Sequence, residues 1–118
     1  MGNSSQAHDQ MNKFGQEALE AVDLGESKKL VVGLPWYTKS QWLATKSYCM
    51  DPESFFNSYA DWRREADKAI VEISNRGLEV KLLPIYIETF KGWCNYHHMQ
   101  PNKTARRRFT NYLLKRER

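Results

Sequence analysis

The stretch from Ser58 to Gly77 constrains the fold more than any other part of the chain. Its apolar residues recur at steps of three and four, which is typical of one face of an α-helix. These residues are Tyr59, Trp62, Ala66, Ala69, Ile70 and Ile73. Ser58 can cap the start, and Gly77 can adopt the left-handed conformation that ends a helix. We therefore predict a long amphipathic helix that organises the rest of the domain.

Two apolar stretches on either side of this helix predict β-strands. Residues 30–34 form a nearly continuous apolar run with a β-branched centre, and Pro35 should end it because proline cannot donate to a sheet. After the helix, the alternation of Leu78, Val80 and Leu82 with other residues predicts a strand with one face in the core. Helical patterns separate the two strands, so a crossover should make them parallel. Because two parallel strands alone make a poor sheet, a further strand, a second chain or covering helices must support them.

Shorter segments also have helical periodicity, at residues 11–22, 39–49, 88–98 and 103–114. Thr38 and Gln41 have the spacing of a capping box, and Asn102 can cap the last helix. We predict an α+β fold: a single, mainly helical domain over residues 28–118 with two short strands. Its order is helix, strand, helix, helix, strand, helix, helix. A polar segment with a weak helix precedes it at residues 1–27.

Positive charge is concentrated at one end of the chain. The net charge is +4 over 118 residues. Residues 101–118 contain seven basic residues and one acidic residue, a charge of +6, which leaves −2 for the rest. The candidate binding residues in this basic helix are Lys103, Arg106, Arg107, Arg108, Lys115 and Arg116. Such a helix can hold nucleic-acid phosphates, can contact an acidic protein surface, or can simply be a solvated helix end.

Our leading hypothesis is a non-enzymatic accessory protein whose basic helix contacts nucleic acid through phosphates. No helix-turn-helix, zinc-finger or aromatic RNA-binding signature is present, so strong sequence preference is not expected. The alternative is a protein-interaction or inhibitor module of a phage or mobile element that acts on a host protein. That module would use Trp36, Tyr37 and the basic C-terminal tail on a protein surface. Trp36 and Tyr37 lie between a strand and a helix, where such residues more often close the end of a core.

An enzyme would be built most readily from the cluster of Cys94, His97 and His98. Zinc needs three or four ligands, and the only other cysteine or histidine residues are Cys49 and His8. A nucleophilic cysteine would need an exposed thiol beside an imidazole. We instead expect Cys94 and His97 to face the core and His98 to face solvent. We therefore predict no catalytic residues, no metal and no cofactor.

Apolar composition gives a coarse expectation of location. The chain has no long apolar run and no secretory pattern at its start. Its two cysteines are expected to be free thiols in a reducing compartment. We therefore predict a cytoplasmic protein without a membrane partner.

Several aromatic and turn residues together resemble a small bacterial protein family of unknown function. The resemblance covers residues 30–112 and rests on the motifs Pro35-Trp36-Tyr37-Thr38, Trp42, Asp51-Pro52, Tyr59, Trp62, Ala66, Gly77, Trp93-Cys94 and Ala105-Arg106 followed by Phe109. It implies a shared fold and brings no activity or catalytic residues with it.

Overall fold

The protein has an α+β fold that is mainly helical, as the sequence predicts. The computed structural model describes the backbone of residues 21–23 and all of residues 30–117. The strands are β1 (Ala21–Asp23), β2 (Leu30–Trp36) and β3 (Glu79–Pro84). The helices are α1 (Lys39–Tyr48), α2 (Tyr59–Asn75), α3 (Ile87–Tyr96) and α4 (Lys103–Arg116), with a 3₁₀ turn at Pro52–Ser54. Over the described residues, no helix combines the length and apolar character needed to cross a bilayer.

The strands form one sheet in the order β1-β2-β3. β2 and β3 are parallel, which confirms the predicted crossover, and β1 pairs with β2 in the antiparallel direction. The prediction that Ala21 and Val22 end a weak helix is wrong, because both lie in β1. The remainder of that predicted helix falls outside the described residues. β1 supplies the third strand that two parallel strands lack, and it carries the sheet past the domain boundary predicted at residue 28.

Pro35 does not end β2, which continues to Trp36. Its partner in β3 is Leu83, and β1 reaches no further along β2 than Val32. Beyond that point β2 has one neighbour among the described residues. A proline is tolerated where its missing N–H group faces no partner strand, and β1 as described does not reach this position.

Both faces of the sheet are covered. Successive side chains of β2 point to opposite faces, and each face belongs to a different cluster of buried residues. Val32 and Leu34 point into the main core, whereas Val31 packs with Leu83 and Leu114 in a smaller one. The prediction that Leu82 faces the core is wrong: it is 41% exposed, while Leu83 is 1% exposed. Helix α4 covers the Leu83 side, so β3 is packed on a face that the sequence pattern left to solvent.

The long helix α2 forms as predicted. The Ser58 hydroxyl accepts a hydrogen bond from the Asp61 N–H at 3.1 Å, and Gly77 ends the helix region with a φ of 82°. Its buried residues are Trp62, Ala66, Ala69 and Ile73. The ring of Trp62 contacts those of Trp36 and Tyr37, with centroids 5.3 and 5.4 Å away, and this aromatic packing fixes α2 against the end of β2.

The capping box at the start of α1 is only half formed. Thr38 Oγ1 accepts a hydrogen bond from the Gln41 N–H at 3.4 Å. The Gln41 side chain does not return the bond: its Oε1 accepts from the Ile87 N–H at 2.7 Å. Tyr86, the residue before α3, makes no capping bond with its own side chain. Gln41 therefore caps a helix that lies far away in sequence.

Replacing glycine by alanine should change the free energy of unfolding in opposite directions at Gly33 and Gly92. A Cβ on Gly33 would lie 2.9 Å from Leu83 Cδ1 and 3.3 Å from Leu114 Cδ2, and both leucines are fully buried. We expect Gly33→Ala to lower the free energy of unfolding by about 1–3 kcal/mol, because overpacking a closed core forces strain. Gly92 lies inside α3 with nothing within 4 Å of its added Cβ. Gly92→Ala should raise the free energy by about 1 kcal/mol, because alanine favours helix.

Urea unfolding followed by circular dichroism measures both changes. A stabilising effect of Gly33→Ala would contradict the close packing of β2 against α4.

Candidate functional site

Helix α4 carries most of the predicted site residues, and the fold divides them between two faces. Asn102 Oδ1 caps the helix by accepting a hydrogen bond from the Ala105 N–H at 3.0 Å. The inward face is formed by Ala105, Arg106, Phe109, Thr110 and Leu114, all of which are buried. The outward face carries Arg107, Arg108, Tyr112, Lys115 and Arg116, all of which are exposed. The residue types predict an apolar stripe of Ala105, Phe109, Tyr112 and Leu113. That prediction is rotated relative to the structure, in which Arg106 is buried and Tyr112 is exposed.

Arg106 was predicted to be part of the binding surface, but its side chain is buried and supports the fold. It is 3% exposed. Its guanidinium donates to Asp51 Oδ1 at 2.9 Å and to Asp51 Oδ2 at 3.2 Å, and it also donates to the Ser54 hydroxyl at 3.0 Å. Its carbon Cζ lies 4.3 Å from the ring centre of Phe55. A guanidinium held by a two-pronged carboxylate bond and an aromatic ring cannot also reach a partner at the surface.

Asp51 connects the 3₁₀ turn to the start of α4. Its Oδ2 accepts hydrogen bonds from the Ser54 hydroxyl at 2.8 Å and from the Lys103 N–H at 3.1 Å. Burial alone would raise the pKa of Asp51, but the hydrogen bonds from Arg106 and Ser54 outweigh it and hold the pKa below its ordinary value. The carboxylate therefore stays ionised and anchors the first turn of α4, including the half-buried Lys103.

The outward face of α4 forms an open basic groove. We use this name for the depression of about 480 Å³ lined by Arg107, Arg108, Asn111, Tyr112 and Lys115. Among residues 30–117, no carboxylate forms an ion pair with the three cations of this groove. Arg116 borders it and donates to the Tyr112 hydroxyl at 3.2 Å. Within the part of the chain that the structure describes, the groove therefore presents to solvent a positive charge that no ion pair balances.

A second depression adjoins the basic groove and shares Tyr112 with it. This aromatic groove has a volume of about 450 Å³, and its walls include Gly92, Trp93, Tyr96, His97 and Tyr112. Tyr96 is 79% exposed, the most exposed large hydrophobic residue in the part of the chain that is described. The Trp93 Nε1–H is buried and has no hydrogen-bond partner among the described residues. An acceptor that reaches it would displace no existing bond.

The cluster of Cys94, His97 and His98 does not assemble a reactive site. Cys94 is 1% exposed, and burial raises the pKa of its thiol, which disfavours the reactive thiolate. The prediction that His97 faces the core is wrong: α3 ends at Tyr96, and the exposed His97 ring lies 4.6 Å from the Trp93 ring. His98 is exposed, as expected. Within the described part of the chain, no three His, Cys, Asp or Glu residues come together as metal ligands.

Trp36 and Tyr37 belong to the packing at the end of β2. Tyr37 is 3% exposed, so its predicted partner-binding role has no accessible surface. Its backbone carbonyl accepts a hydrogen bond from the Tyr59 hydroxyl at 3.0 Å. Trp36 is half-buried, with the Arg63 guanidinium 4.9 Å from its ring centre. Both residues close the end of the core, which is the interpretation that the sequence favoured.

Sequence reasoning missed the aromatic groove. Its residues come from α3 and α4, which are separate helical patterns in the sequence, and only tertiary packing brings them together. One signal was available: Tyr96 lies off the apolar stripe of its helix, where a large aromatic residue gains nothing from the core.

No family model matches the chain, and no curated protein or solved structure is detectably similar to it. The resemblance to a small bacterial family stays a prediction.

The Asp51–Arg106 pair predicts a specific dependence of stability on pH. Asp51→Ala should lower the free energy of unfolding at neutral pH by about 3 kcal/mol, because it leaves a buried guanidinium without its partner. The pKa of Asp51 is lower in the folded protein than its ordinary value of 3.8. Its stabilising contribution is therefore complete above that value and is lost as the pH falls through the lower folded pKa. The wild type and the variant should converge in acid, as measured by urea unfolding across pH.

Asp67→Ala is the matched control, because Asp67 pairs with Arg63 at 3.4 Å on the exposed face of α2. Its effect on stability should be small. Equal losses from the two substitutions would contradict the anchoring role of Asp51.

Proposed function

We propose that this protein binds nucleic acid through the outward face of α4, by contacts to phosphates and without strong sequence preference. The observation that carries the proposal is the basic groove: Arg107, Arg108 and Lys115 share one exposed face and have no ion-pair partner among residues 30–117. Cations of this kind bind a polyanion by releasing its condensed counterions.

The cations of α2 are paired with carboxylates on the same helix, whereas, among the described residues, the groove cations of α4 are not. Arg63, Arg64 and Lys68 of α2 each pair with a carboxylate three or four residues away on the same helix. Their positive charge is matched locally, as on an ordinary solvated helix surface. The groove cations of α4 have no such match, although three of the first six residues of that helix are arginines. This difference supports a binding role for the basic face of α4 over that of a solvated helix end.

The groove residues favour contact with the sugar-phosphate backbone. Arginine and lysine side chains on an open surface reach phosphate oxygens and fix a nucleic acid without reading its bases. The groove is shallow and lies along one helix of fourteen residues. In this proposal the protein is a non-enzymatic accessory protein of the bacterial cytoplasm. The alternative, a protein-interaction module that uses Trp36, Tyr37 and the basic tail, gains no support from Trp36 and Tyr37, which pack at the end of the core. An acidic protein partner would have to use the basic groove alone.

We expect the double substitution Arg107→Ala and Arg108→Ala to weaken binding about tenfold at low salt, because two phosphate contacts are lost. Fluorescence anisotropy with a labelled oligonucleotide measures the affinity between about 50 and about 200 mM salt. The slope of log K against log salt should fall in magnitude by about 1.4 for a single strand and about 1.8 for a duplex.

Arg64→Ala with Lys68→Ala is the matched control. It also removes two positive charges, but from residues already paired with carboxylates on α2. Its salt dependence should equal that of the wild type. If both double variants lose affinity equally, binding reflects net charge alone, and the proposed site is wrong. If the wild type binds no oligonucleotide at low salt, the proposed function is wrong.

A further inference from the structure

We propose that the aromatic groove is a base-stacking platform, and that the ligand of this surface is single-stranded nucleic acid. This inference rests on the proposed function and names its ligand class. Four side-chain rings follow one another along the groove. Tyr96 and His97 have ring centroids 5.0 Å apart, His97 and Trp93 4.6 Å, and Trp93 and Tyr112 6.3 Å.

Three of the four rings lie at the surface. Tyr96 is 79% exposed and Tyr112 is 39% exposed, and His97 is also exposed. Trp93 is half-buried and packs against the buried Phe109, which connects the four rings to the core. Tyr96 offers the most open ring of the row, because the Arg116 guanidinium lies 5.5 Å from the ring centre of Tyr112. Open aromatic rings are what nucleobases stack on, and every base offers a π-face. The row therefore suits bases in general and needs no particular sequence.

Gly92 forms part of the wall of the aromatic groove. It lies in the middle of α3, where glycine is a poor helix former, and an added Cβ would meet nothing within 4 Å. Core packing therefore gives no reason for a glycine at this position. A side chain at this position would occupy open space along the wall of the groove.

Charge and rings adjoin one another at Tyr112, which lines both grooves. Arg107, Arg108 and Lys115 line the basic groove with it, and Trp93 and Tyr96 line the aromatic groove with it. A strand whose phosphates follow the basic groove can turn its bases towards the rings. Positive charge along the backbone path with rings beside it is the combination by which proteins hold single strands.

A duplex cannot use this combination. Its bases are stacked on one another and paired, so their faces are closed to protein side chains, and only its phosphates can reach the basic groove. The two depressions together therefore favour a single strand over a duplex with the same phosphates. An acidic or aromatic protein segment is the competing occupant, and it would show no dependence on nucleobases.

Three oligonucleotides of equal length test the inference with the full chain: a single-stranded thymidine oligomer, an abasic oligomer and a duplex. We expect the thymidine oligomer to bind about tenfold more tightly than the abasic oligomer, because both carry the same phosphates and only one carries bases. The duplex should bind more weakly than the thymidine oligomer in low salt. Trp fluorescence should be quenched by the thymidine oligomer and not by the abasic one.

Substitution of the most exposed ring separates stacking from other contacts. Tyr96→Ala should weaken binding of the thymidine oligomer about tenfold and leave binding of the abasic oligomer unchanged. Tyr96→Phe, which retains a ring, should bind the thymidine oligomer as tightly as the wild type does. Tyr96→Leu, which retains only apolar bulk, should bind it as weakly as Tyr96→Ala does. Circular dichroism checks that each variant is folded.

The outcomes distinguish the two proposals. Equal binding of all three ligands, still dependent on Arg107 and Arg108, would overturn the stacking platform and leave the phosphate-binding function in place. The same would follow if Tyr96→Ala had no effect. Failure of every ligand to bind at low salt would overturn both proposals.

Discussion

The buried ion pair between Asp51 and Arg106 decides which way the C-terminal helix faces. Asp51 holds the Arg106 guanidinium through both carboxylate oxygens, and it also accepts a hydrogen bond from the Lys103 N–H at the first residue of α4. Phe55 covers the guanidinium from the adjoining turn. The pair thus fixes the rotation of α4 about its own axis. A different rotation would bury Arg107 or Arg108, neither of which has a carboxylate partner among the described residues.

That rotation gives neighbouring arginines different roles. Arg106 points inward and supports the fold, while Arg107 and Arg108 point outward into the basic groove. The same rotation turns Tyr112 to the surface, where it adjoins the exposed rings of α3. The contrast with α2 follows from pairing and not from composition, since both helices are rich in charge but only α2 matches its cations with nearby carboxylates. A binding surface on this protein is therefore best sought on α4.

The sequence predicts the helices well because their signals are local. Ser58, Gly77, Thr38 and Asn102 act at helix ends as their residue types suggest. The strand β1 escaped prediction because three residues carry too little periodicity to identify a strand. The prediction that β2 ends at Pro35 was wrong, because a strand tolerates a proline at a position where no described neighbouring strand needs its N–H group. These are tertiary facts that no window of sequence contains.

The candidate site was predictable in its charge but not in its geometry. Seven basic residues near the C-terminus mark the region, yet nothing local shows that Arg106 alone has a buried carboxylate partner fifty-five residues away. The predicted stripe of this helix consists of apolar residues, so it includes Tyr112 and leaves out Arg106, whereas the structure exposes Tyr112 and buries Arg106. A buried arginine breaks the usual link between polarity and exposure, and it does so only because it is paired.

Separate substitution of the three consecutive arginines by glutamine, with stability and oligonucleotide affinity measured on each variant, tests this account most directly. Arg106→Gln should lower the free energy of unfolding while the folded protein retains its affinity. Arg107→Gln and Arg108→Gln should each lower the affinity and leave the free energy of unfolding unchanged. Three variants that behave alike in both measurements would contradict the division of α4 into a supporting face and a binding face.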